Sequence, residues 1–304
     1  MGWLTNSATG ERHYLAQRSL VGRAAHCWAR VADSSVSNEH AVVFFDADGW
    51  AVKDLGSLNG TRVNGTKLQA GESARIGNGS ELQFGEVAAR IASIEPPTLC
   101  VRGGAAGACV VAQSGMLVLP DEETPIASLY EAAVGSWVAD VEGRVQPLND
   151  GDVLYIGQER YQVHLPNMDA RAALERTVAT RPRFLLSELK LHFEVSQDKE
   201  AIALTLLGET SFKLQPRAAH RVLLLLASQR TKDQETGVGE AECGWVFADE
   251  IPQMLGYDRE RINVDIHRLR QQFANAGVVD AAQLIERRPT THQVRLGIRD
   301  IVIA

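Results

Sequence analysis

The stretch Asp54-Leu55-Gly56-Ser57-Leu58-Asn59-Gly60-Thr61-Arg62-Val63-Asn64-Gly65 decides the reading of the first third of this 304-residue chain. Its Asn-Gly pairs mark tight turns, because glycine enters left-handed conformations that other residues resist. Similar punctuation lies on both sides. Asp46-Ala47-Asp48-Gly49 joins the apolar run Ala41-Val42-Val43-Phe44-Phe45 to Trp50-Ala51-Val52, and Gly77-Asn78-Gly79 precedes Glu81-Leu82-Gln83-Phe84. Short strands in quick succession, with no helical period, predict an all-β sandwich.

Upstream pieces complete a chemical pattern: Gly22-Arg23, then Ser37-Asn38-Glu39-His40. A doubly charged phosphate needs a guanidinium fork and neutral donors converging from loops. Arg23 offers the fork and the Ser37 hydroxyl a neutral donor. An asparagine on a neighbouring loop can hold a ligand's main chain through its two-sided amide. The order G-R, S-x-x-H, D-x-G-S-x-N-G-T-x-V-N-G resembles forkhead-associated (FHA) domains. That resemblance implies phosphate binding by Arg23 and Ser37 with help from Asn38, and a grip on the peptide backbone by Asn59. It gives Gly22, His40 and Gly60 structural roles and makes Asp54, Ser57 and Thr61 loop scaffolding. Position 38 is often arginine in the family, and Leu58 stands where a small polar or charged residue is commoner. The implied partner is a phosphothreonine-containing protein or peptide, modified by a serine/threonine protein kinase.

The strand-and-turn style continues through residues 96–166. Val141-Glu142-Gly143 leads to Leu148, Gly151 and Ile156-Gly157 much as Val63-Asn64-Gly65 leads to Leu68, Gly71 and Ile76-Gly77, with Trp137 placed like Trp50. A degenerate FHA-like duplicate and a plain β-rich connector both fit. Residues 167–182 are polar and alanine-rich, ending at Arg181-Pro182, and read as a linker. Thr177 and Thr180 lie there beside Arg176 and Arg181. A phosphate on either could dock on the chain's own first domain or on that of a second copy, which admits a homodimer.

From residue 183 the pattern changes. Strand-like stretches at about 185–196 and 201–214 precede Pro216 and an apolar helix, Ala218 to Ser228. A polar loop over 230–243 follows, then helical segments at about 248–255 and 259–276, and finally Leu284-Ile285-Glu286 and Gln293-Val294-Arg295-Leu296. In the longest helix Ile262, Ile266, Leu269 and Phe273 form one buried stripe. The other faces carry Arg259, Arg261, Asn263, His267, Arg268 and Arg270, side chains able to reach phosphates and base edges. The run Ile262 to Arg270 is similar to the recognition helix of OmpR-type winged helices. Leu207-Gly208-Glu209 to Leu214 and Arg221 to Ala227 resemble that family's strand and first helix, and Ile285 to Leu296 its wing. The resemblance implies double-stranded DNA as a partner in a bacterial regulator, with Arg287, Arg288 and Arg295 as wing contacts. Asp265 stands where that family usually has a histidine.

Charge sharpens this division. The net charge of −7 argues against whole-surface binding to nucleic acid. Residues 1–95 hold 9 basic and 10 acidic side chains, 96–182 hold 6 and 11, and 183–304 hold 16 and 17. Within the last part, residues 259–299 carry eight arginines against four acids, an excess that suits a polyanion. Cys27, Cys100, Cys109 and Cys243 form no CxxC pair and no zinc spacing. No apolar run reaches the roughly 18 to 20 residues that span a bilayer, and the start lacks a signal-peptide pattern. P-loop, nucleophile-elbow and kinase motifs are missing, as is the acidic cluster of a phosphoacceptor receiver.

The sequence thus predicts a multidomain, non-enzymatic, cytoplasmic protein without cofactor or metal. Its parts are an all-β FHA sandwich at 1–95, a β-rich middle segment at 96–166, a linker at 167–182 and an α+β winged helix at 183–304. The function it implies is phosphothreonine-dependent transcription regulation. The alternative is a phosphopeptide-binding adaptor whose winged helix contacts proteins and not DNA.

Overall fold

The computed structural model describes residues 1–104, 107–113, 115–133, 135–167, 184–196, 202–208, 211–288 and 291–304, with only the backbone at 259 and 260. Most of the linker, including Arg176, Thr177, Thr180 and Arg181, lies outside the described residues, as does the side chain of Arg259. The chain divides into two compact units. The first comprises Met1–Val111, Asp150–Tyr155 and Glu159–Thr180; the second comprises Ala112–Asn149, Ile156–Gln158 and Arg181–Ala304. Strands of the middle segment are therefore shared out between both units.

In the first unit a six-stranded sheet runs in the order Arg12–Tyr14, Trp3–Asn6, Val87–Ser93, Glu81–Phe84, Thr61–Val63, Thr66–Lys67. A five-stranded sheet runs Ala29–Arg30, Arg18–Gly22, Ala41–Asp46, Gly49–Asp54, Ser73–Arg75. Side chains from both meet in one core, where Leu4, Leu82, Phe84 and Ile91 of the first sheet join Val21, Val43, Trp50 and Val52 of the second. This is the expected FHA-like sandwich. The Ala41–Asp46 and Gly49–Asp54 hairpin pairs Phe45 with Trp50. It closes through Gly49 at φ +105° and an Asp48 amide that donates to the Asp46 carboxylate at 3.0 Å. Cys100–Gly103, Ala108–Val111 and Glu159–His164 are antiparallel partners in a further sheet.

The second unit contains an antiparallel meander of Met116–Leu119, Ala127–Ala133, Ser136–Val141 and Arg144–Leu148. Beyond it, Ser211–Leu214, Ile202–Leu207 and Lys190–Val195 form an antiparallel sheet, and Asp300–Ile303 adds a parallel edge strand that the sequence reading did not anticipate. Three helices follow: α1 (His220–Glu235), α2 (Ile251–Leu255) and α3 (Arg259–Asn275). A hairpin of Ile285–Arg288 and Gln293–Leu296 carries Val246–Phe247 on its outer edge. Gly256, at φ +68°, ends α2 in the left-handed conformation that suits a glycine cap.

α1 outlasts its expected end at Ser228 by two turns. Gln229 donates to Asp233 one turn later at 2.8 Å. Arg230, 1 % exposed, turns inward to donate to the Leu296 carbonyl at 3.0 Å and to pair with Glu240. The polar letters that suggested a loop are thus used inside the unit. The stripe Ile262, Ile266, Leu269 and Phe273 is buried as expected, in a core with Leu223, Leu226, Leu284 and Leu296.

Candidate functional site

Three loops of the first unit bring the nominated residues together. The Arg23 amide donates to the Ser37 carbonyl at 3.0 Å and the Ala24 amide to that of Asn38 at 3.2 Å, so the first loop lies along the second. Gly22 makes this approach possible, since a methyl group there would overlap the Asn38 carbonyl oxygen. The second and third loops meet where the Leu58 amide donates to Ser37 Oγ at 3.1 Å and Asn59 Nδ2 donates to the Ser35 carbonyl at 2.7 Å.

His40 braces them from inside. Its ring is fully buried, accepts the Ser37 amide on Nδ1 at 3.1 Å, and stands 3.2 Å from the Gly60 carbonyl through Nε2. Nδ1 must then be bare and Nε2 must carry the proton, which is the neutral tautomer. Burial lowers the pKa of this ring and outweighs the Gly60 carbonyl and Asp54, which raise it. Asp54 ties the third loop to itself: it accepts from the Gly56 and Ser57 amides and from the hydroxyls of Ser57 and Thr61, at 2.6 to 3.1 Å. Burial alone would raise its pKa, but these hydrogen bonds hold it below the usual carboxylate range. The scaffolding roles expected of Asp54, Ser57 and Thr61 have this geometry behind them.

What faces outward is a set of unspent donors and acceptors. Arg23 is exposed, and only its Nε is engaged among the described residues, donating to the Val36 carbonyl at 3.2 Å. That bond orients the guanidinium and leaves its Nη groups open. Ser37 Oγ accepts from Leu58, so its own hydrogen remains to donate. Asn59 uses its amino group on Ser35, which leaves Oδ1 to accept an N–H. Asn38 is exposed beside them, and Leu58 is 88 % exposed. A cation, a hydroxyl donor and an amide acceptor on braced loops suit a phosphorylated peptide chain. Sequence reasoning missed Ser35, whose carbonyl positions Asn59 and whose amide and hydroxyl donate to Asp33 at 2.8 and 2.6 Å.

The residues nominated for nucleic acid in the second unit are disposed differently. Arg261 and Arg268 are exposed, with the Arg261 guanidinium 3.8 Å from the Tyr257 ring centroid. Asn263 is half-buried. His267 and Arg270 were expected on outward faces of α3, yet they are 2 % and 1 % exposed. Arg270 Nη1 lies 3.2 Å from Asp140 Oδ2, and Arg287 Nε lies 2.8 Å from the same oxygen. The reason is a second packing surface. The meander lays Tyr130 against α3, with the Arg270 guanidinium 4.9 Å from its ring centroid, and Gln283 donates to the Ala132 carbonyl at 2.6 Å. Arg288 pairs with Glu242 at 2.9 Å and Arg295 with Glu286 at 2.7 Å, and both stack on Trp245. Asp140 escaped sequence reasoning. Its signal was a lone carboxylate in the apolar strand Trp137-Val138-Ala139-Asp140-Val141, because a buried charge requires a partner.

Comparison with known proteins bears on the first unit. The FHA domain family model matches residues 20–85. The "FHA domain-containing protein At4g14490" of Arabidopsis thaliana is 34 % identical over 56 residues, covering 18 % of this chain and 14 % of that relative. Among solved structures, Mycobacterium tuberculosis EmbR in complex with a low-affinity phosphopeptide matches at 21 % identity and TM-score 0.28, over 30 % of this chain and 24 % of its own. The FHA domain of the CT664 protein from Chlamydia trachomatis matches at 22 % identity and TM-score 0.28, over 30 % of this chain and 96 % of its own.

Proposed function

We propose that this chain is a phosphothreonine-dependent transcription regulator. Its FHA domain reads a protein phosphorylated by a serine/threonine kinase, and the α+β region after residue 183 acts as a winged helix that binds double-stranded DNA. The observation that carries the reading is the convergence of exposed Arg23 and Asn59 with half-buried Ser37 on loops braced by His40. FHA domains bind phosphothreonine peptides, and the nominated residues have the matching donors and acceptors. Three helices followed by a β-hairpin, with Arg261 and Arg268 exposed on α3, support the second half.

Crosslinking the protein to DNA in cells tests both halves together. Wild type should recover discrete DNA fragments, and Arg23→Ala should change their yield or identity. Recovery of no DNA under any kinase state would reject the DNA half.

A second reading, the adaptor, draws on the acids that occupy Arg270, Arg287, Arg288 and Arg295. In it the same region contacts proteins. A gel-shift series over salt separates the two, because phosphate contacts release counterions and make affinity fall steeply with salt.

A further inference from the structure

Asp140 holds the position an anion would take against α3. Its Oδ2 is shared by Arg270 of α3 and Arg287 of the hairpin, at 3.2 and 2.8 Å. A single anionic oxygen thus holds both guanidinium groups through charge-assisted hydrogen bonds, chemistry that a phosphate oxygen can also supply. Asp140, Asn263, His267, Arg270 and Arg287 also line one small cavity of about 20 Å³. Asn263, Arg270 and Arg287 have chemistry that suits a nucleic-acid backbone; Asp140 pairs with both arginines, and Glu142 lines the same cavity.

The contact is also poorly satisfied. Asp140 Oδ1, His267 Nδ1 and Arg270 Nε are buried without a hydrogen-bond partner among the described residues. Buried polar atoms without protein partners raise the free energy of the closed arrangement and favour its exchange for one that completes them. Tyr130 under Arg270 and the Gln283 hydrogen bond to the Ala132 carbonyl attach the rest of the sheet. The apolar part of the contact comprises Met116, Val118, Tyr130 and Val138 with Ala132 and Val145 of the same sheet, and Ala282 from the far side.

We propose that the 116–148 sheet is a built-in cover for the α3 face, with the Asp140 carboxylate standing in for a DNA phosphate between Arg270 and Arg287. The proposal rests on the DNA-binding reading and adds its regulation: the chain as folded here is in the closed state. DNA and the sheet compete for the same two arginines, so binding requires the sheet to leave. Removing the Asp140 charge leaves two buried cations without their anion, which weakens the closed state far more than the open one.

The test uses the full chain, short random-sequence DNA duplexes at low ionic strength, and fluorescence anisotropy. Asp140→Asn should bind at least about tenfold more tightly than wild type. Gln283→Ala, a milder change at an exposed side chain, should gain about threefold. Without DNA, α3 amides should exchange hydrogen faster in both variants. If Asp140→Asn fails to fold, Gln283→Ala alone decides. Wild type binding as tightly as the variants would overturn the cover while leaving DNA binding intact. Faster α3 exchange with no duplex binding in either variant would overturn the DNA reading, and with it the Asp140 carboxylate as a phosphate stand-in, while leaving the sheet as a cover of α3.

Discussion

The Ser37 amide donates to His40 Nδ1 at 3.1 Å, which leaves the other nitrogen of that ring to donate to the Gly60 carbonyl at 3.2 Å. One neutral imidazole thereby joins the loop that carries the Ser37 hydroxyl to the loop that carries Asn59. Replacing it with alanine strips a half-buried amide and a buried carbonyl of partners. We expect His40→Ala to lower stability by about 1–3 kcal/mol in urea unfolding followed by tryptophan fluorescence. Phosphopeptide affinity should fall with it, although His40 is fully buried.

Gly22 is constrained by space. A side chain there would drive into the Asn38 carbonyl, the group that seats the Arg23 loop. Gly22→Ala should cost about 1–3 kcal/mol and weaken phosphopeptide binding in calorimetry. Gly65, with open space around it, makes the control: Gly65→Ala should leave peptide affinity unchanged even if its φ of +84° costs some stability.

Leu58 presents an apolar side chain to solvent at the mouth of the site. Exposed groups of this kind add little to folding. Leu58→Ser should therefore change stability by no more than about 0.5 kcal/mol, yet lower affinity selectively for phosphopeptides with an apolar residue after the phosphothreonine. A peptide-array comparison of the two proteins checks this.

Acid should weaken both units in the range where histidine titrates. His267 is held neutral by burial and by Arg270 and Arg268, its pKa lowered from 6.5 to about 4. Burial likewise lowers His220 in the second unit and His13, His40 and His164 in the first. A histidine lowered in this way takes up its proton more readily when unfolded. Its contribution is complete above pH 6.5 and is lost as pH falls from 6.5 toward the folded value. Asp265, raised by burial, acts in the opposite sense near the acid end. Urea midpoints should be flat above pH 7 and decline from about 6.5 to about 4, and His267→Gln should flatten that decline for the second unit.

The strands of the first unit were legible because turn chemistry is local: Asn-Gly pairs and Asp46 to Gly49 announce themselves within a few residues. The meeting of the Arg23, Ser37 and Asn59 loops was legible only through their resemblance to a family, since no local rule brings Arg23 beside Ser37. In the second unit the apolar stripe of α3 could be read from its period. Its second buried face could not, because His267 and Arg270 read as solvent-facing until Asp140, more than a hundred residues upstream, supplies the counter-charge. The edge strand Asp300–Ile303 was hidden for a similar reason: its partner, Lys190–Val195, is distant in the chain.

Isothermal calorimetry with a phosphothreonine peptide library, its unphosphorylated counterpart and the Arg23→Ala variant bears most directly on the central claim. The loops around Arg23, Ser37 and Asn59 predict measurable binding of phosphorylated members alone, lost in Arg23→Ala while the variant's unfolding curve overlays that of wild type. Equal affinity of wild type and variant, or equal affinity for phosphorylated and unphosphorylated peptides, would contradict it.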